Sequence, residues 1–123
     1  MKLELNQTNG LNTFTAYGEG YVSVNGIRHN CNVAVLPDQL ITAWTTADFD
    51  TLTVADFELL AGLDAEIILL GTGNQLRFPR PELMRPLIKA QKGLEVMNLQ
   101  SACRTYNILV AEGRKVAAGL LLA

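Results

Sequence analysis

Gly71-Thr72-Gly73 follows directly on the apolar run Ile67-Ile68-Leu69-Leu70, the position at which an α/β sheet most often offers chemistry. Backbone amides of a glycine-rich turn at the carboxyl edge of a strand can meet an anion. Two stronger motifs are excluded by spacing. A dinucleotide fingerprint needs a glycine where Leu76 stands, and a P-loop needs a Gly-Lys-Ser/Thr that does not follow. The plainer reading is a tight turn that demands small residues. Arg104, on a later helical run opened by Asn98, could reach over such an anion, since a guanidinium binds carboxylate or phosphate through two parallel bonds. The candidate ligand-binding set is therefore Gly71, Thr72, Gly73, Asn98 and Arg104. Against it stands an ordinary solvated helix face shared by Gln100, Arg104 and Asn107.

No complete set of nucleophile, base and acid accompanies these residues, so no catalytic residue is assigned. Cys103 and Tyr106 fall on an apolar helical stripe and read as core. A nucleophilic cysteine needs a base or a positive field, and the chain holds one histidine, His29. His29 and Cys31 alternate onto one face of a strand, but two donors without a third make no zinc site. No metal and no cofactor are expected. Both cysteines, Cys31 and Cys103, read as reduced core thiols of a cytoplasmic protein.

The elements that must position these residues are legible in the period of the apolar residues. Tyr21 to Val24 and Ile27 to Asn30 flank Asn25-Gly26, the pair preferred by a two-residue hairpin. Val33 to Leu36 continues the strand pattern, Pro37-Asp38 turns it, and Leu40 to Trp44 is a further apolar run. Thr53 with Asp56 forms a capping-box pattern ahead of a helix whose apolar face is Val54, Phe57, Leu60 and Ala61. Leu83, Met84, Leu87 and Ile88 argue for a helix within Pro81 to Gln91, which Pro86 either starts or kinks. From Asn98, Leu99, Ala102, Cys103, Tyr106, Leu109 and Val110 recur at helical spacing until Glu112-Gly113, and Lys115 to Leu122 reads as a buried strand. Tyr106 and Leu109 should lie against the central sheet. Ile108, off that stripe, reads as an oligomer or partner contact rather than a core residue.

The order is N-terminal β-strands followed by α-β-α-β-α-β. It predicts one three-layer α/β domain over residues 1–123 with a mixed central sheet. At 123 residues and 49% hydrophobic content the chain can bury a core without disulfides or metals. A net charge of -2 and a pI near 5.3 argue against nucleic acid as a partner. No run approaches the roughly eighteen apolar residues of a membrane span, so no membrane insertion is expected. Charge is segregated along the chain. Asp48, Asp50, Asp56, Glu58, Asp64 and Glu66 fall together without Lys or Arg, while Arg77, Arg80, Arg85, Lys89 and Lys92 are interrupted only by Glu82. Two solvated surfaces explain this, and so does a surface for a charged partner.

Ile67 to Gly73, the loop Phe78-Pro79-Arg80-Pro81-Glu82-Leu83, Glu95-Val96-Met97, the helical run Ala102 to Leu109 and Glu112-Gly113-Arg114 together resemble one family. It is a group of small domains of poorly defined function that includes the mitochondrial respiratory complex I assembly factor three and the adipogenesis-associated domain proteins. The resemblance covers most of Trp44 to Leu122 and implies a three-layer α/β fold. Asn98-Leu99 stands where the family usually carries Asp-Thr. The reading drawn from residues and resemblance together is a non-enzymatic interaction or assembly-factor-like domain with a protein partner. The alternative is an enzyme binding a small molecule or anion at the carboxyl edge of the sheet.

Overall fold

The computed structural model describes residues 10–122. Strand β1 (Phe14–Gly18) pairs antiparallel with β2 (Tyr21–Val24), which turns into β3 (Ile27–His29) to complete a three-stranded sheet. The turn is the one expected: Asn25 and Gly26 take φ of 50° and 82°, the left-handed pair a type I′ hairpin requires. Strand β4 (Val33–Leu36) and β5 (Gln39–Thr42) form a second hairpin around Pro37-Asp38, with Leu36 opposite Gln39. The strand ends earlier than the apolar run implied. Ala43 turns the chain with a φ of 50°, and Trp44 enters the core, where its indole N–H donates to the Leu120 carbonyl at 3.0 Å.

Helix α1 (Val54–Ala61) starts where Asp56 accepts from the Thr53 N–H at 2.9 Å. Phe57 and Leu60 are fully buried, but Val54, expected on the same face, is exposed. Strand β6 (Ile67–Thr72) then runs two residues past Leu70. A 3₁₀ turn over Pro81–Met84 leads into the short α2 (Arg85–Lys89). Pro86 therefore starts this helix rather than kinking it, because in the first turn its missing N–H would have had no helical partner. Strand β7 (Gly93–Met97), helix α3 (Leu99–Ala111) and strand β8 (Val116–Leu121) complete the chain of elements.

The second sheet has the order β5-β4-β8-β6-β7. Strand β6 is parallel to both β7 and β8, whereas β8 is antiparallel to β4, so the sheet is mixed, as the element order predicted. Alternation along its strands builds two cores. Val35, Leu69, Val116, Ala118 and Leu120 face α3 and the three-stranded sheet; Leu36, Ile68, Leu70, Ala117 and Leu121 face α1 and α2. The three layers are thus α1 with α2, the five-stranded sheet, and α3 beside the small sheet.

Polar side chains join the small sheet to α3. Asn107, expected on a solvated face, accepts from the Phe14 N–H at 2.9 Å and donates to the Phe14 carbonyl at 2.8 Å. It thereby occupies the strand edge as a neighbouring strand would. Tyr106 is fully buried, packs edge-on against Phe14 with ring centroids 5.0 Å apart, and donates its hydroxyl to the Asn12 carbonyl at 3.0 Å. Leu109 is only half-buried, at the margin of the stripe whose centre is Ala102, Cys103, Tyr106 and Val110.

These contacts rank three substitutions by stability. Asn107→Ala leaves both Phe14 backbone groups without partners and should cost about 1–3 kcal/mol, and Tyr106→Phe about 1 kcal/mol. Leu109→Ala should fall below the range of about 2–5 kcal/mol typical of a fully buried leucine. Urea unfolding midpoints with a common slope check the ranking; a Leu109→Ala cost exceeding that of Asn107→Ala contradicts the placement of α3.

Candidate functional site

The carboxyl ends of β6 and β7 lie side by side, and the loops that leave them carry the residues expected to bind a ligand. Gly71 and Thr72 still belong to β6, so the expected Gly-Thr-Gly turn is reduced to Gly73, whose φ of 78° turns the chain. Gly71 serves close packing instead. A Cβ there would lie 2.7 Å from Leu120 Cδ2 and 3.2 Å from the Ala102 Cβ of α3. Thr72, 1% exposed, donates its hydroxyl to the Gln75 carbonyl at 2.6 Å and accepts from the Arg77 N–H at 3.2 Å. The start of α3 is likewise engaged within the chain. The Leu99 N–H donates to the Gly73 carbonyl at 2.8 Å, and Asn98 Oδ1 accepts from the Ser101 N–H at 2.9 Å. Asn98 is thus the expected N-cap, and the apolar Leu99 beside it is buried.

Gly73 and Asn98 border a cleft of about 230 Å³ with Tyr17, Glu19, Asn74 and Gln100. Arg104 is exposed on α3 and does not line it. The geometry brings Gly73 and Asn98 together over Thr72 and leaves Arg104 outside, while the Glu19 carboxylate adds negative charge to the rim. Among the described residues, no group of three His, Cys, Asp or Glu side chains is placed to hold a metal ion.

A different feature of the same loop was not legible from spacing. Phe78 is 70% exposed and Leu76 51%, yet the segment between them is braced. The Arg77 N–H is held by Thr72, its guanidinium carbon lies 4.5 Å above the Phe49 ring, and its Nη1 is 3.8 Å from the Asp50 carboxylate. Pro79 is buried immediately after. Phe49 is half-buried and supplies this stacking surface. A second exposed feature is a groove of about 870 Å³ between α1 and α2, bordered by Val54, Ala61, Pro86 and Ile88, with Ile88 71% exposed.

The two cysteines differ, contrary to the reading of both as core thiols. Cys103 is buried and Cys31 exposed. The chain from His29 to Val33 crosses between the two sheets, and it is Asn32 that points inward there, donating to the Thr45 and Ala47 carbonyls and accepting from the Leu122 N–H at 2.9 Å. Burial pushes the Cys103 thiol up to about 12 from an ordinary value of 9.0. Tyr106 is also raised, by burial and then by the Asp38 carboxylate.

A thiol-specific reagent should therefore titrate Cys31 in the native protein and reach Cys103 only after denaturation. The sign of the pH effect follows from the raised value. Below pH 9 both folded and unfolded chains hold the Cys103 proton, whereas between 9 and about 12 only the folded chain does. Stability should fall there by up to about 1.4 kcal/mol per pH unit for this group. Cys103→Ala should flatten that dependence in alkaline urea titrations.

With fold and site described, the chain can be set beside known proteins. A family model described as a protein of unknown function (DUF498/DUF598) matches residues 14–121. The crystal structure of a protein from Bordetella parapertussis matches with a TM-score of 0.85 at 41% identity, covering 92% of this chain and 97% of that one. A relative from Francisella tularensis subsp. holarctica named 13 kDa major membrane protein is 36% identical over 70 residues, 57% of each chain. The NADH dehydrogenase (ubiquinone) 1 alpha subcomplex assembly factor 3 of Bos taurus is 33% identical over 104 residues, 83% of this chain and 55% of that protein. This chain thus covers little more than half the length of these two curated relatives. Among the described residues no helix is long and apolar enough to cross a membrane. The family match spans every strand and helix of the fold, and the motifs that suggested the resemblance lie inside it, so the chain belongs to the family of proteins of unknown function DUF498/DUF598.

Proposed function

We propose that this chain is a non-enzymatic protein-docking domain, assembly-factor-like, that presents Phe78 to a partner protein. The observation that carries the reading is an aromatic side chain 70% exposed on a loop braced from Thr72, Asp50 and Phe49. A braced aromatic loses little conformational entropy on binding, the usual property of an interface anchor. The name of the bovine relative, an assembly factor, supports the same role. The cytoplasm is the proposed compartment, where the exposed Cys31 stays reduced.

Phe78→Asp should abolish capture of the partner from the native host while leaving the melting midpoint within about 1 °C, since the side chain contributes little to the core. Arg104→Ala serves as the exposed control and should retain capture. Steady turnover of a metabolite by protein freed of contaminating enzymes would defeat the proposal.

A second reading rests on the cleft at Gly73 and Asn98. Of the residues expected to bind, it keeps Gly73 and Asn98, which line the cleft with Asn74 and Gln100 and would take a small polar ligand or anion, and it leaves out Gly71, Thr72 and Arg104. Its support is the position at the carboxyl edge, beside the start of a 13-residue helix. Titration with inorganic phosphate followed by amide chemical shifts tests it: saturable shifts confined to Gly73, Asn74 and Gln100 support it. Uniform, non-saturating shifts exclude it.

A further inference from the structure

The groove between α1 and α2 has walls of opposite charge, and this decides what fits it. The α1 wall presents Glu58 and the α2 wall presents Arg85 and Lys89, all exposed. Among the described residues none of the three has an ion-pair partner, whereas Glu82, on the same rim, lies 4.0 Å from Arg80. The lining shared by the two walls is apolar, with Val54 of α1 43% and Ile88 of α2 71% exposed. An acidic wall and a basic wall flanking an apolar strip form a surface complementary to itself.

We infer that the occupant of this groove is a second copy of the chain, in a two-fold dimer whose axis runs along the groove. Rotation about that axis places α1 of each copy over α2 of the other. Glu58 then meets Arg85 and Lys89 of the second copy twice over, and Ile88 and Val54 close on each other between the two pairs of walls. An axis across the groove would instead stack α1 on α1 and leave like charges opposed. Neither Phe78 nor the cleft at Gly73 lines this groove, so self-association goes beyond the proposed docking role and leaves it intact.

Sedimentation velocity on the full chain, over about a hundredfold range of concentration, should show a monomer–dimer equilibrium that weakens with salt. Glu58→Lys alone, and Arg85→Glu with Lys89→Glu, should each weaken association about tenfold or more. Mixing these two variants should restore it as a heterodimer, because both wall contacts are again between opposite charges. Restoration in the mixture also shows that each variant is folded. Phe78→Asp should leave the dimer unchanged, and Glu58→Lys should leave partner capture unchanged, so the two readings fail separately. A chain that sediments as a monomer at every concentration, or a mixture no better associated than either variant alone, overturns the inference.

Discussion

Two-sided burial of β8 is the constraint on which the rest of the structure depends. All six residues from Val116 to Leu121 are buried, with β4 on one side, β6 on the other and a helical layer above and below. A strand in that position has no solvent face, so its residues must be small or aliphatic and its neighbours must approach closely. Gly119 shows how closely: a Cβ there would lie 2.9 Å from Leu60 of α1. Gly71 in the adjacent β6 does the same for α3 on the opposite face. Gly71, expected as part of a binding turn, thus serves like Gly119 to let a helix reach the sheet.

Asparagine amides hold together what the hydrophobic layers leave loose. The small sheet has only its inner face to bury, and Asn107 supplies the bonds that a fourth strand would otherwise provide at Phe14. Asn32 gathers the loop after Trp44 and the end of β8, while Asn12 donates to the Leu36 and Gln39 carbonyls of the second hairpin. A primary amide carries donor and acceptor side by side, so it can satisfy two backbone groups at once where a strand edge or loop would otherwise be buried unpaired. These bonds explain how chain segments far apart in sequence are fixed without disulfides.

The proposed docking surface is what remains after these demands are met. Thr72, Gly73 and Asn98 sit where an α/β sheet commonly binds ligands, but their hydrogen-bonding groups are turned largely to the loop and to the start of α3. What the layers do not use is the exposed Phe78 on its braced loop and the charged groove between α1 and α2.

The amino-acid pattern by itself determined most of the elements and their order, although β1 was not read from it. Asn25-Gly26 set a hairpin, Thr53 with Asp56 started a helix, and alternating or helical periods marked the strands and α3, because each of these signals is local in the chain. Tertiary structure decided the roles of single residues whose partners lie far away. Asn107 is 93 residues from Phe14, and Gly71 meets Ala102 and Leu120 only once the sheet is assembled. Cys31 was read as core from the apolar, strand-like sequence around it and Leu109 from its place on the helical stripe, yet one lies on a crossing between sheets and the other at the margin of a helix face. Periodicity reports which way a side chain points along its own element. Whether anything stands there to cover it depends on how the layers pack, and that is a property of the whole fold.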